Sequence, residues 1–238
     1  MKPLLKVHNL VFKYHEAPKH TLADIHFEMY IGQLCVIIGG NGSGKSTLLK
    51  IIAGVFKEYQ GQITFADNDI RSTSTHSDIT YCTQHASDGL FSELTVYDQV
   101  CLWHLSLFGL TTALPTKNMV KKLLEEYHPQ LPERLDNSVS SLSGGEKQML
   151  VLALIFIKPP KLLLLDEPTS ALDVHTAQRA IHLIKIKARE HNCTVLMISH
   201  NVEEIQHFAE RALVLKDGVI VGDYNKEQCL SLELSRII

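Results

Sequence analysis

Nine consecutive residues have the composition and spacing of a loop that holds phosphate groups. They fit the pattern G-x-x-x-x-G-K-[ST] and are Gly39, Gly40, Asn41, Gly42, Ser43, Gly44, Lys45, Ser46 and Thr47. Glycines allow the backbone to turn tightly, so that its N–H groups point at anionic oxygens. We expect Lys45 to reach the β- and γ-phosphates of a nucleotide and the Ser46 hydroxyl to ligate Mg²⁺.

The segments on either side of this loop predict the elements that hold it in place. Leu34–Ile38 is short and apolar, as expected of a strand that is buried on both faces. Residues 48–53 predict a helix that ends at Gly54. A helix N-terminus adds unpaired donors and the positive end of a dipole. A glycine-rich turn that binds nothing is the alternative, and this strand–loop–helix context favours nucleotide binding.

Further residues with useful chemistry stand at the ends of predicted strands. Asp166 is placed to hold Mg²⁺, directly or through water, and Glu167 could accept a proton from an attacking water. Gln84 could ligate Mg²⁺ or the water, and His200 could contact the γ-phosphate. Tyr14 could stack on an adenine ring, although a strand aromatic is more often part of a core. Taken singly, Gln84, His200 and Tyr14 are better explained by structural roles.

A second glycine-containing motif opens an apolar helix later in the chain. Its residues are Ser143, Gly144, Gly145 and Glu146. Ser143 and Glu146 have the spacing of a capping box, which would explain the motif without any ligand. Two glycines weaken a helix start, however, and they are useful where a bulky anion approaches the backbone closely.

The order of predicted elements indicates an α/β fold. Strands alternate with helices in most of the chain, which favours a mostly parallel sheet around the phosphate loop, preceded by N-terminal antiparallel strands. Residues 85–140 carry apolar positions at helical spacing and predict an inserted helical subdomain. We therefore predict one domain over 1–238, with a nucleotide-binding core of 1–84 and 141–238.

Composition restricts the class of protein and its location. The net charge of -3 gives no electrostatic argument for a nucleic-acid partner. The five cysteines are scattered without a CxxC pair, which is typical of reduced thiols in the cytosol. The N-terminus has no apolar region of a signal peptide, and no apolar run approaches the length of a membrane span.

Taken together and in this order, the motifs resemble those of the ATP-binding-cassette (ABC) ATPases. The resemblance covers almost the whole chain and identifies six motifs. They are the Walker A loop at 39–47, the Q-loop at Gln84, the signature at 142–146, Walker B at 162–166 followed by Glu167, the D-loop at 170–173 and the switch histidine His200. Because the signature is peculiar to this family, a P-loop kinase is disfavoured.

The resemblance implies the fold of a P-loop NTPase and a set of roles for these residues. Two copies pair head to tail, with ATP between Walker A of one copy and the signature of the other. Glu167 is then the general base, oriented together with His200, and Tyr14 lies under the adenine. Gln84 ligates Mg²⁺ with Ser46 and Asp166. The residues that contact nucleotide include the phosphate loop, Ser143, Gly144, Gly145, Glu146 and Asp173.

The same resemblance implies a transporter subunit on the cytoplasmic face of the inner membrane. Its partners would be transmembrane permease subunits, reached through Leu90, Phe91, Leu94 and Tyr97, and a substrate-binding protein. The sequence departs from the family pattern at Glu146, where glutamine is usual, and its motifs resemble most those of tryptophan- or tyrosine-type importer ATPases. A non-transport ABC ATPase, such as the partner of an assembly scaffold, is the alternative.

Overall fold

The computed structural model describes residues 2–15, 17–72, 77–84 and 88–230. By backbone contacts the chain divides into two units. Unit 1 comprises Met1–Cys82, Pro160–Glu167 and Lys185–Ile238, and unit 2 comprises Thr83–Pro159 and Pro168–Ile184. Of the predicted domain division, residues 1, 16, 73–76, 85–87 and 231–238 lie outside the described residues.

Unit 1 contains a six-stranded sheet in the order β10-β9-β3-β8-β7-β6. Neighbouring strands are parallel except β9 and β10, which form an antiparallel hairpin. All residues of β3, β7 and β8 are buried, which explains why every residue of these strands except Asp166 and Thr194 is apolar. The strands are β3 (Leu34–Ile38), β6 (Ile79–Cys82), β7 (Leu162–Asp166), β8 (Thr194–Ile198), β9 (Arg211–Lys216) and β10 (Val219–Asn225).

A four-stranded antiparallel sheet, in the order β2-β1-β4-β5, completes the strands of unit 1. Alternate residues of β1 and β2 are buried, and their side chains form one hydrophobic core with those of helix α1 and the six-stranded sheet. The elements are β1 (Leu5–Phe12), β2 (Leu22–Met29), α1 (Lys45–Ile52), β4 (Gln60–Phe65) and β5 (Asn68–Asp69). The predicted antiparallel N-terminal strands and mostly parallel sheet are both confirmed.

Unit 2 is helical. Thr95 and Thr116 cap the first two helices through their side chains. The helices are α2 (Val96–Phe108), α3 (Lys117–Glu125), α4 (Gly144–Ile155) and the first part of α5 (Val174–Glu190), with short 3-10 turns at Leu131–Arg134 and Val139–Ser141. Residues 141–159, which the sequence analysis assigns to the core, cluster with unit 2 because α4 packs against α3. The predicted insert of 85–140 stays a prediction.

The remaining helices of unit 1 are α6 (Val202–Phe208) and α7 (Lys226–Leu230). The C-terminal part of α5 also belongs to this unit. None of the helices within the described ranges combines the length and apolar character required to cross a bilayer. The elements that matter for chemistry are the carboxyl ends of β3, β7 and β8 in unit 1 and the start of α4 in unit 2.

Candidate functional site

The phosphate-binding loop joins β3 to α1, as the sequence predicts. Lys45 is the first residue of α1, and its ammonium group donates hydrogen bonds to the carbonyl oxygens of Gly39 (2.8 Å) and Gly40 (2.9 Å). The residue is only 6% exposed. Burial lowers the pKa of Lys45, and the carboxylates of Glu167 and Asp166 oppose that shift. A cation is therefore held inside the loop, beside two carboxylates.

The loop is closely packed against the β9–β10 hairpin. A Cβ atom at Gly39 would lie 2.0 Å from the carbonyl oxygen of Leu215, so only glycine fits there. Gly218 donates its backbone N–H to the Ser43 carbonyl oxygen over 3.2 Å. The Ser43 hydroxyl is buried and has no hydrogen-bond partner within the described part of the chain. An unpaired polar atom inside such a loop fits a site for an anionic ligand.

Asp166 links the end of β7 to the phosphate-binding loop. Its Oδ1 accepts a hydrogen bond from the Ser46 hydroxyl, and its Oδ2 accepts one from the Tyr81 hydroxyl, each over 3.0 Å. The residue is 7% exposed. Hydroxyl and carboxylate oxygens are the donors that Mg²⁺ prefers, so this pair suits that ion.

Glu167 and His200 form the next pair along the sheet. Glu167 follows the last residue of β7, and His200 lies two residues beyond β8. His200 Nε2 is 2.9 Å from Glu167 Oε1. Glu167 has a φ of 50°, in the left-handed region that a non-glycine residue seldom adopts. Strain of this kind concentrates at functional sites, and here it accompanies a carboxylate–imidazole pair.

Tyr14 lies next to the phosphate loop at the end of β1. Its hydroxyl is 3.0 Å from the Thr47 hydroxyl in α1. The ring meets Phe12 and Phe56 edge-on, with centroid distances of 5.0 Å and 5.6 Å, and the residue is 40% exposed. A partly exposed aromatic ring beside a phosphate loop can stack on a nucleotide base.

The second motif of the sequence lies in unit 2 and forms the predicted capping box. Glu146 Oε2 accepts the Ser143 backbone N–H over 2.9 Å, and the Ser143 hydroxyl accepts the Glu146 N–H over 3.2 Å. Arg134 Nε lies 3.0 Å from Glu146 Oε1 as an ion pair, outside hydrogen-bond geometry. Burial raises the pKa of Glu146, but the Ser143 hydrogen bonds and the Arg134 charge outweigh it, so the pKa lies below its ordinary value.

Thr176 connects the start of α4 with the start of α5. Asp173 accepts hydrogen bonds from the Thr176 backbone N–H (3.0 Å) and hydroxyl (2.7 Å), which lowers the pKa of Asp173. A Cβ atom at Gly145 would lie 2.8 Å from Thr176 Cγ2, whereas one at Gly144 would meet nothing within 4 Å. Gly145 is therefore needed for close helix packing, and Gly144 has no such packing role.

Gln84 also belongs to unit 2. Its side-chain amide donates to the Ser170 hydroxyl over 3.4 Å, a long and exposed contact. Ser170 belongs to the same stretch as Asp173, the predicted D-loop. The structure therefore places the predicted residues in two groups. Unit 1 holds Tyr14, the phosphate loop, Asp166, Glu167 and His200, and unit 2 holds Gln84, the capping box and Asp173.

Sequence reasoning missed three side chains in these groups, Tyr81, Arg134 and Thr176. Tyr81 contacts Asp166 from a neighbouring strand, 85 residues away in the chain. Arg134 comes from a 3-10 turn that precedes the capping box. Thr176 is only three residues from Asp173, and the spacing of an N-cap could have identified it.

Comparison with known proteins identifies a family that matches this chain. The family described as "ABC transporter" matches residues 22–170. A tyrosine transport ATP-binding protein of Clostridioides difficile is 34% identical over 227 residues, which cover 93% of this chain and 90% of that protein. Three other relatives are longer, and their matches span 41%, 40% and 61% of their lengths.

Two solved structures have the same fold. One is a dimeric post-hydrolysis state of the ATP-binding cassette MJ0796 bound to ADP and Pi, with 25% identity and a TM-score of 0.79 over 93% of this chain and 98% of that one. The other is cbiO1 from Clostridium perfringens, part of the ABC transporter complex cbiONQ, with 26% identity and a TM-score of 0.80 over 99% and 94% of the two chains.

Proposed function

The chain belongs to the ABC transporter family of ATP-binding proteins, and we propose that it powers the uptake of a small solute by binding and hydrolysing ATP. ATPase activity follows from membership of this family. The observation that supports the proposed mechanism best is the grouping of Lys45, Ser46, Asp166, Glu167 and His200 in unit 1, around one phosphate loop.

In this proposal the loop N–H groups and Lys45 hold the phosphates of ATP. Lys45 exchanges its contacts with the Gly39 and Gly40 carbonyls for phosphate oxygens. Within unit 1, Ser46 and Asp166 would hold Mg²⁺, which when bound would neutralise charge that develops on the phosphates. The role of Gln84 as a further ligand stays a prediction from the sequence.

Glu167 acts as the general base for hydrolysis. It takes a proton from a water molecule, the water oxygen bonds to the γ-phosphorus, and the bond to the ADP oxygen breaks, which leaves ADP and phosphate. His200, 2.9 Å from the Glu167 carboxylate, orients that carboxylate and contacts the γ-phosphate. Both side chains are about one-third exposed or less, so they are accessible to water and substrate.

The residues of unit 2 act on ATP that a second copy of the chain holds. Ser143, Gly144 and Gly145, at the start of α4, receive the γ-phosphate, since a helix N-terminus favours anions. Asp173 and Thr176 fix the neighbouring start of α5. Tyr14 lies under the adenine. The dimeric state of the structural relative with ADP and Pi supports this arrangement.

Transmembrane permease subunits and a substrate-binding protein complete the transporter in our proposal, with this chain on the cytoplasmic face of the membrane. The cbiO1 relative, which is part of an ABC transporter complex, supports a membrane assembly. The tyrosine transport relative supports an amino-acid-like solute. The residues proposed to meet the permease are Leu90, Phe91, Leu94 and Tyr97; of these, Phe91 is 58% exposed.

Affinity purification of the tagged chain from detergent-solubilised membranes of its source cells tests the transport role. We expect a polytopic permease to copurify in stoichiometric amount, and ATP-dependent uptake of the solute by vesicles that contain the purified complex. A Lys45→Ala chain should assemble equally and fail to drive uptake. Recovery with partners that span no membrane would instead support the non-transport ATPase.

A further inference from the structure

Glu146 places a negative charge at the helix end where the proposed function requires an anion to bind. The residue is 5% exposed, and its Oε2 accepts the Ser143 backbone N–H over 2.9 Å. A helix N-terminus attracts negative charge, so the carboxylate is stable in the first turn of α4. The same attraction would serve an incoming phosphate, however, and a fixed carboxylate weakens it through like-charge repulsion.

Arg134 supplies the opposite charge on the other oxygen of this carboxylate. Its Nε lies 3.0 Å from Oε1, and its side chain is 35% exposed whereas that of Glu146 is 7% exposed. His128 also interacts with Glu146, but burial lowers the pKa of His128, so its positive charge is disfavoured. Arg134 is the last residue of the short 3-10 helix Leu131–Arg134, and this helix fixes the position of its backbone.

The two contacts hold the carboxylate from opposite sides. Oε2 closes the capping box on Ser143, and Oε1 faces the guanidinium. A glutamine at this position could close the same box through its amide oxygen without adding charge. The chain therefore carries an extra charge that the cap does not require, together with a cation that cancels it.

We propose that Arg134 is a positioning residue for nucleotide binding: it neutralises Glu146 and holds it in the capping box, so that the Ser143–Gly145 segment can receive the γ-phosphate of ATP bound by a second copy. The proposal rests on the proposed function and deepens it. The alternative is that Arg134 only anchors the helix. In that case its loss would affect ATP-dependent dimerisation equally whether the side chain at position 146 is charged or neutral.

A double-mutant cycle on the full chain separates the two possibilities. The four variants are the parent, Arg134→Ala, Glu146→Gln and the double substitution, each in a Glu167→Gln background that slows hydrolysis. The measurement is the ATP concentration at which half of the chain is dimeric by light scattering. We expect Arg134→Ala to raise that concentration about tenfold with Glu146 present, which corresponds to about 1.4 kcal/mol. In the chain that also carries Glu146→Gln, the change should be less than about twofold.

Two further variants complete the design. Arg134→Lys keeps the charge and should recover most of the lost affinity. Lys121→Ala removes a cation from another ion pair of unit 2, Lys121–Glu133 at 3.8 Å, and should leave the ATP requirement unchanged. In a chain with wild-type Glu167, steady-state kinetics of ATP hydrolysis should show the effect of Arg134→Ala mainly in the KM for ATP.

Equal effects of Arg134→Ala with and without the Glu146→Gln substitution would overturn the proposal, since they would indicate simple anchoring. An Arg134→Ala variant that becomes half dimeric at the same ATP concentration as the parent would overturn the proposal as well. A parent chain that never dimerises with ATP would overturn the proposed function and this inference together, whereas a dimerising parent without coupling would overturn this inference alone.

Discussion

The two groups of predicted residues are built in different ways. In unit 1 the phosphate loop follows β3, His200 follows β8 and Asp166 ends β7, and these three strands are buried along their whole lengths. Contacts between them join residues far apart in the chain, such as Ser46 and Asp166. In unit 2 the capping box is local and spans four residues, and its glutamate forms an ion pair with Arg134.

This difference shows where the chain fixes geometry by backbone and where by side chains. Gly39 faces a carbonyl oxygen of a buried strand, which cannot move without disturbing the sheet. Gly145 faces the methyl group of Thr176, which can rotate only if its hydroxyl gives up the hydrogen bond to Asp173. The packing at Gly39 is therefore set by the backbone, and the packing at Gly145 is set by a side chain.

The largest expected effect concerns the chemistry of unit 1. Glu167→Gln removes the proposed base but not the phosphate cradle, so we expect turnover to fall by about 10²- to 10⁴-fold with ATP binding retained. Phosphate release measures turnover, and calorimetry measures binding. Turnover at the wild-type rate would remove Glu167 from the mechanism. Lys45→Ala is the matched contrast, since it should weaken ATP binding itself.

A pair of glycine substitutions tests this contrast. Gly39→Ala should lower the free energy of unfolding by about 3 kcal/mol, because its Cβ would overlap the Leu215 carbonyl. Gly145→Ala should cost about 1 kcal/mol or less, because Thr176 can rotate at the loss of one exposed hydrogen bond and alanine favours a helix. Gly144→Ala, which faces open space, is the control. Urea unfolding measures all three, and equal costs at Gly39 and Gly145 would contradict the contrast.

Removal of the cap in unit 2 should have a smaller effect. Ser143→Ala deletes the acceptor for the Glu146 N–H and should lower the free energy of unfolding by about 1 kcal/mol. Ser143→Asn keeps a capping oxygen, so it should retain most of the stability that Ser143→Ala loses. If the alanine variant were as stable as the wild type, the capping box would not contribute to the stability of α4.

The smallest expected effect is a dependence on pH. The pKa of Glu146 lies below its ordinary value of 4.5 in the folded protein, so its ionised form stabilises the fold above that pH. This stabilisation is lost as pH falls from about 4.5 towards the folded-state pKa. The stability advantage of wild type over Glu146→Gln, measured by urea unfolding, should shrink in that window. An advantage independent of pH would show that the charge of Glu146 is not responsible.

Local patterns predicted much of this molecule. The apolar run at 34–38 and the glycine motif after it predicted β3 and the loop, and Ser143 with Glu146 predicted the capping box. Polar contacts between residues far apart in the sequence were beyond this reasoning, because hydrophobic periodicity predicts which residues are buried and not which polar groups pair. The Tyr81 hydroxyl on Asp166 is one case, and Arg134 on Glu146, twelve positions apart across a turn, is another.

In the proposed function, the phosphate loop of one copy and the capping box of a second copy bind the same ATP. Light scattering of the Glu167→Gln chain with and without Mg²⁺–ATP tests this sharing. We expect the mass to rise from the 26.7 kDa of one chain to twice that value when ATP is added, and to remain at 26.7 kDa in a chain that also carries Lys45→Ala. A Glu167→Gln chain that binds ATP and still has the mass of a single chain would contradict the claim.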